Sequence, residues 1–135
     1  MPADVSWYIK DRVLQLNLTG DVTRDELADV ATQTAAYIDA APDQSVVPLV
    51  HTLVDATQIE GFPKILRDFA GAYQPMASHY QIGWVLLYGT EDPLMLFIAD
   101  AASQMFTTRF RKFKTRPEAV AFLQYVDSTL PDLPD

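Results

Sequence analysis

Apolar and polar residues alternate along Arg12–Thr19, with Leu14, Leu16 and Leu18 on one side and Val13, Gln15, Asn17 and Thr19 on the other, the period of a half-buried strand. Ser6–Ile9 is a shorter strand candidate, and the two-residue link Lys10-Asp11 predicts an antiparallel hairpin. The spacing then becomes helical. Leu27, Val30, Ala31, Thr34, Ile38 and Ala41 mark one face of a first helix. Thr23 and Glu26 have capping-box spacing at its start, Val22 and Leu27 occupy the positions of a hydrophobic staple, and Pro42 predicts its end.

Val46–Val54 is almost continuously apolar, as a strand covered on both faces would be, with Pro48 near its beginning. Asp55 is expected to end it and to open a polar loop, Asp55–Phe62, at the carboxyl end of the sheet, where α/β proteins place ligands and switches. Pro63 suits the first turn of a second helix, whose apolar stripe is Phe62, Ile65, Leu66, Phe69, Tyr73 and Met76. Ile82–Tyr88 is a further buried strand closed by Gly89. Thr90 or Asp92 can cap a third helix with Pro93 in its first turn and Leu94, Phe97, Ile98, Ala101, Ala102, Met105 and Phe106 on its buried face. Arg109–Phe113 predicts a short edge strand, and Thr115 and Glu118 form a second capping-box pair ahead of a last helix carrying Ala119, Val120, Phe122, Leu123 and Val126.

The order is β-β-α-β-α-β-α-β-α. It predicts an α/β fold with a mixed sheet of about five strands and four helices, antiparallel at its opening and parallel afterwards with right-handed crossovers. Residues 1–129 form one domain, and the Pro-rich acidic tail 130–135 is expected to fray.

Composition narrows the function classes. At 49% hydrophobic and 21% charged residues the chain is an ordinary globule, long enough to bury roughly two thirds of its unfolded surface. No run of about 18 apolar residues predicts a membrane span, and the first residues lack the basic and apolar regions of a secretory signal, so a cytoplasmic location is the expectation. The absence of cysteine excludes disulfide and thiolate chemistry. A net charge of −8 opposes nucleic-acid binding, although five of the ten basic residues crowd into positions 109–116.

Chemistry-bearing residues are sparse. Asp55, at the end of a buried strand, can cap its own loop, hold a metal or act as a base; with no second acid at a useful spacing, loop capping is the reading adopted. Glu60 is too isolated for a metal site, and Thr57 is assigned a hydrogen bond within the loop. His51 and His79 lie 28 positions apart and form no zinc set, so His51 is expected to be a hydrogen-bonded core residue. No serine lies in a G-x-S-x-G context and no phosphate-binding glycine loop exists. Arg109, Arg111 and Lys112 form a candidate basic patch that either protects the sheet edge or docks an acidic partner with Phe110 and Phe113 as anchors. The stripe Phe62, Phe69, Tyr73 and Met76, facing Phe97 and Met105, either packs the core or lines a cavity.

Three segments, L-x-L-T-G-D-V-T at Leu16–Thr23, L-V-D-A-T-Q-I-E-G-F at Leu53–Phe62 and R-F-R-K-F-K-T-R-P-E-A-V-A-F-L at Arg109–Leu123, resemble the STAS-like superfamily, in particular its SpoIIAA-like anti-sigma-factor-antagonist branch. The resemblance covers most of the chain. It implies a non-enzymatic module whose relatives are switched when a partner kinase phosphorylates the serine of a D-S-x-G motif at a helix start. Here Asp55-Ala56-Thr57 falls on the upstream D-x-S element, and Pro63-Lys64-Ile65-Leu66 falls on the acceptor motif without supplying an acid, hydroxyl or glycine.

The expectation is therefore a protein-interaction or regulatory module without cofactor, metal or catalytic residues and without the usual serine switch. It would act on a protein partner through the loop carrying Asp55, Thr57, Glu60 and Lys64, with a homodimer among the arrangements allowed. The alternative is a carrier of a lipid or other small molecule in a cavity between helices, by fold analogy with CRAL-TRIO domains.

Overall fold

The computed structural model describes residues 3–41 and 49–133. Pro42, and Val46–Pro48 of the predicted third strand, lie outside the described residues. The elements follow the predicted order: β1 (Ala3–Ile9), β2 (Val13–Asp21), α1 (Arg24–Ala40), β3 (Val50–Gly61), α2 (Leu66–Ala77), β4 (Ile82–Tyr88), α3 (Pro93–Met105), β5 (Arg109–Phe113) and α4 (Arg116–Val126). The five strands lie in sequence order across one sheet, β1 antiparallel to β2 and every later neighbour parallel.

Because each strand joins the edge left by the previous one, the three crossover helices fall on the same face. Leu14, Leu16, Leu18, Val50, Val54, Val85 and Leu87 meet α1, α2 and α3 there, in the larger core. The alternate residues Val13, Leu53, Leu86 and Tyr88 meet α4 on the opposite face. α4 packs on β4 and β5. Under β2 the second face therefore carries the half-buried Gln15 and Asn17 in place of apolar side chains. Leu133 is buried in this second core, so the tail that the composition marks as frayed packs at least one side chain.

Local signals account for most element starts. Thr23 Oγ1 accepts from Glu26 N–H at 3.2 Å and Glu26 Oε1 accepts from Thr23 N–H at 3.0 Å, a reciprocal capping box. Asp92 caps α3, and Thr115 caps α4. Two expectations need correction. Helix α2 starts at Leu66 and not at Pro63: Ile65 occupies the N-cap with extended backbone and no side-chain hydrogen bond. Proline presets φ but caps nothing, and no side chain in Phe62–Ile65 carries an acceptor for the first-turn N–H groups.

The segment Asp55–Phe62 is not a loop. β3 continues to Gly61 along β2, with Thr19 opposite Gln58, Gly20 opposite Ile59 and Asp21 opposite Gly61, after a bulge that inserts one extra residue between Asp55 and Gln58. β4 stops at Tyr88, where Gly89 takes φ +92°, and a Cβ at Gly89 would strike Thr57. Only glycine lets the end of β4 pass so close beneath the extended strand.

Candidate functional site

The switch corner of the sequence reading is a closed hydrogen-bonded unit. Asp55 Oδ1 accepts from the backbone N–H of Thr57 at 2.8 Å and from its hydroxyl at 2.7 Å. These bonds fold the carboxylate over the strand bulge. Beside it a polar hollow of about 230 Å³ is lined by Asp4, Asn17, Thr19, Asp55, Thr57 and Gln58, with Asn17 Nδ2 donating to Asp4 at 3.0 Å. The hollow collects acids and neutral dipoles. A phosphate on Thr57 would set two anions against each other. Glu60 and Lys64 are exposed, and among the described residues no hydrogen bond or ion pair joins them to Asp55. No three His, Asp or Glu side chains converge as metal ligands among the described residues.

The basic segment divides between two faces of the sheet. Arg109 and Arg111 stand opposite Trp84 and Leu86, whereas Lys112 stands opposite Leu87. Strand alternation therefore sends the two arginines to the α4 side and Lys112 to the other. Arg111 lies 4.8 Å from the Phe122 ring centroid, a cation–π contact. Phe110 packs on the larger core and Phe113 on the smaller, so neither is a free anchor for a partner.

The densest polar site was not assembled by sequence reasoning. His51, 2% exposed, accepts at Nδ1 from Trp84 N–H (2.9 Å), so its Nε2 carries the proton and donates to Asp127 Oδ2 at 2.9 Å. Asp127 also accepts from Arg12 (3.1 Å) and from the N–H and hydroxyl of Thr129. Burial lowers the affinity of His51 for a second proton despite the neighbouring carboxylate. Burial alone would raise the Asp127 carboxyl, but the Thr129 and His51 hydrogen bonds outweigh it and hold the group at about 2. An acid at a helix C-terminus is opposed by the helix dipole, and these donors offset that cost.

This cluster ties the end of α4 to the starts of β2, β3 and β4. Gly83 leaves the space the imidazole occupies, since a Cβ there would overlap Nδ1. One signal was present in the sequence: Asp127-Ser128-Thr129 repeats the D-x-T pattern of Asp55-Ala56-Thr57, and both fold identically, the aspartate accepting twice from the threonine.

The outer side of α2 and α3 is the exposed apolar region. Phe97 and Met105, predicted to face the α2 stripe in the interior, are 66% and 59% exposed, and Leu94 is 44% exposed. The sequence spacing assigned α3 one broad buried face, but Met95, Ile98, Ala99 and Ala102 already fill the space above the sheet. A groove of about 380 Å³ runs beside the exposed row, lined by Leu66, Ala70, Gly71, Gln74, Met105 and Phe106. Ile65, 58% exposed, precedes the start of α2.

Inside the larger core, an apolar cavity of about 40 Å³ lies among Leu16, Phe69, Tyr73, Met76, Met95 and Phe110. That is room for about one water-sized guest, against the 300 Å³ or more of a typical ligand pocket. The Tyr73 hydroxyl at its wall is bonded to Ser103 Oγ at 3.0 Å, and burial pushes the phenol up to about 12. No helix of the described residues is long and apolar enough to cross a membrane.

No protein-family model matches the chain, and no curated protein matches it. Among solved structures, the chain is similar to an uncharacterized protein from the DUF3478 family with a SpoIIAA-like fold, from Shewanella loihica PV-4. The two share 16% identity over 90% of this chain and 91% of that one, with a TM-score of 0.57. The likeness is one of fold: a SpoIIAA-like α/β domain with a mixed five-stranded sheet and four helices.

Proposed function

We propose that this SpoIIAA-like domain is an interaction or regulatory module with no reaction of its own, and that it meets a protein partner through the outer face of α2 and α3, with Lys64 and Ile65 at its end. The observation that carries the reading is the exposed apolar row Leu94, Phe97 and Met105 beside the α2 groove. Contiguous apolar surface of this kind marks recognition sites in soluble proteins. The absence of a hydroxyl from Pro63–Leu66 supports a module that works without serine phosphorylation at that position.

The test is a photo-reactive side chain at position 97, introduced in the native host, with position 125 as control because Tyr125 is exposed away from this face on α4. The expected outcome is one discrete protein adduct from position 97 and none from position 125. Native mass spectrometry supplies the opposing arm. A retained lipid-sized mass, released on unfolding, would replace the interaction module by a carrier.

A further inference from the structure

We infer that the outer edge of β5 is a second docking site, separate from the α2–α3 face, and that its occupant is an extended acidic segment of a partner protein, added to the sheet as a sixth strand. β5 ends the sheet: its inner side pairs with β4, and among the described residues no strand pairs with its outer side. Alternate backbone N–H and C=O groups along Arg109–Phe113 therefore face outward, and no turn or loop hydrogen bond of the described residues ends on them. Another peptide strand is the partner that complements such a row group by group.

Charge selects the strand. Arg109, Arg111, Lys112 and Lys114 are all exposed. The ion pairs among the described residues are Arg12–Asp127, His51–Asp127, Arg67–Asp68 and His79–Asp39, so none of these four cations has a carboxylate partner on a chain of net charge −8. Positive charge on an edge repels a second copy of the same edge and admits a strand of opposite sign. Arg109 and Arg111 lie on the α4 side of β5 and Lys112 on the other, with Lys114 just beyond the strand. An added strand also points its side chains to both sides, so acids on either side of it meet cations. The spacing 109, 111, 112, 114 reads the same in both directions, and one acidic pattern therefore matches it whether the strand runs parallel or antiparallel.

The edge is prepared in two further ways. The Arg111 guanidinium is held over the Phe122 ring at 4.8 Å, which lowers the side-chain freedom it loses on binding. At the end of β5 a groove of about 380 Å³, lined by Thr90, Glu91, Leu96, Lys112, Phe113 and Lys114, leaves room for side chains of the added strand, and Glu91 is ion-paired with neither lysine. Nucleic acid is the less suited occupant. Single strands are held by aromatic rings on which bases stack, whereas Phe110 and Phe113 pack against the two cores and the net charge opposes a phosphate backbone.

The probe is a fluorescently labelled peptide, T-E-V-E-E-V-E-V-T, whose acids repeat the spacing of the four cations. Its control, T-E-P-E-E-P-E-V-T, keeps every acid but loses two N–H donors. By fluorescence anisotropy with the full chain, the first peptide should bind and the control should bind at least about tenfold more weakly. Lys112→Glu combined with Lys114→Glu, shown to be folded by circular dichroism melting, should weaken the first peptide about tenfold, and salt raised from about 0.1 to 0.5 M should weaken it further. Bound peptide should slow amide exchange within residues 109–113. Equal affinity for the two peptides, tighter binding of a ten-nucleotide oligothymidylate, or no peptide binding at about 1 mM would overturn the inference. Phe97→Glu separates the two surfaces: peptide binding should be unchanged, and its loss would overturn the assignment to the β5 edge.

Discussion

Asp127 illustrates how one carboxylate can hold two distant parts of a chain, since it bonds His51 and Arg12 across 76 and 115 positions of sequence. Replacing it by alanine strips the acceptor from the buried imidazole N–H and leaves Arg12 without its anion. The expected cost is about 2–4 kcal/mol, read as a shift of the urea midpoint at unchanged slope. Gly83→Ala attacks the same site from beneath by pushing on the ring, and should cost about 1–3 kcal/mol.

Acid should loosen this corner in two stages. In the fold His51 binds its second proton less readily than the ordinary 6.5, so the unfolded chain takes up more protons and stability falls as pH drops below 6.5. The Asp127 carboxyl, lowered from 3.8 to about 2, contributes fully above 3.8, and its share is lost as pH falls through about 2. Urea midpoints across pH 2–8 should show both losses. His51→Gln, which keeps an amide donor, should remove the upper one and leave the lower. The burial of His51 was legible from the apolar run around it, but its partner was not, because sequence spacing carries no information about which helix end returns to which strand start.

At the scale of elements, starts were more legible than ends. Thr23→Ala should cost about 1 kcal/mol and lower the melting temperature by roughly 3–5 °C, because it removes one of the two reciprocal bonds at the head of α1. That cap was visible in the sequence because all its atoms lie within four residues. The extension of β3 was not, since polar residues such as Thr57, Gln58 and Glu60 pair equally well with a neighbouring strand or with water, and only the length of β2 decides between them. Gly89→Ala tests this extension. It demands a strained positive φ and drives a methyl into Thr57, so a loss of roughly 2–3 kcal/mol is expected, with faster amide exchange along residues 56–61 than elsewhere in the sheet.

Across the whole molecule, the unequal cover of the two sheet faces decides what is left for recognition. Three helices crowd one face and one helix serves the other, so the polar hollow at Asp55 lies beside a partly uncovered strand, while the outer surface of α2 and α3 carries the apolar row. The sequence by itself determined the order of elements, the caps of α1 and α4, and the absence of a serine at the start of α2, because each depends on residues close together in the chain. Tertiary structure alone decided that Phe97 and Met105 face outward, that the basic strand is divided between two faces, and that Asp127 closes on His51. A helix apolar around most of its circumference gives no sign of which side the sheet will claim, and side chains far apart in sequence meet only where packing brings their backbones together.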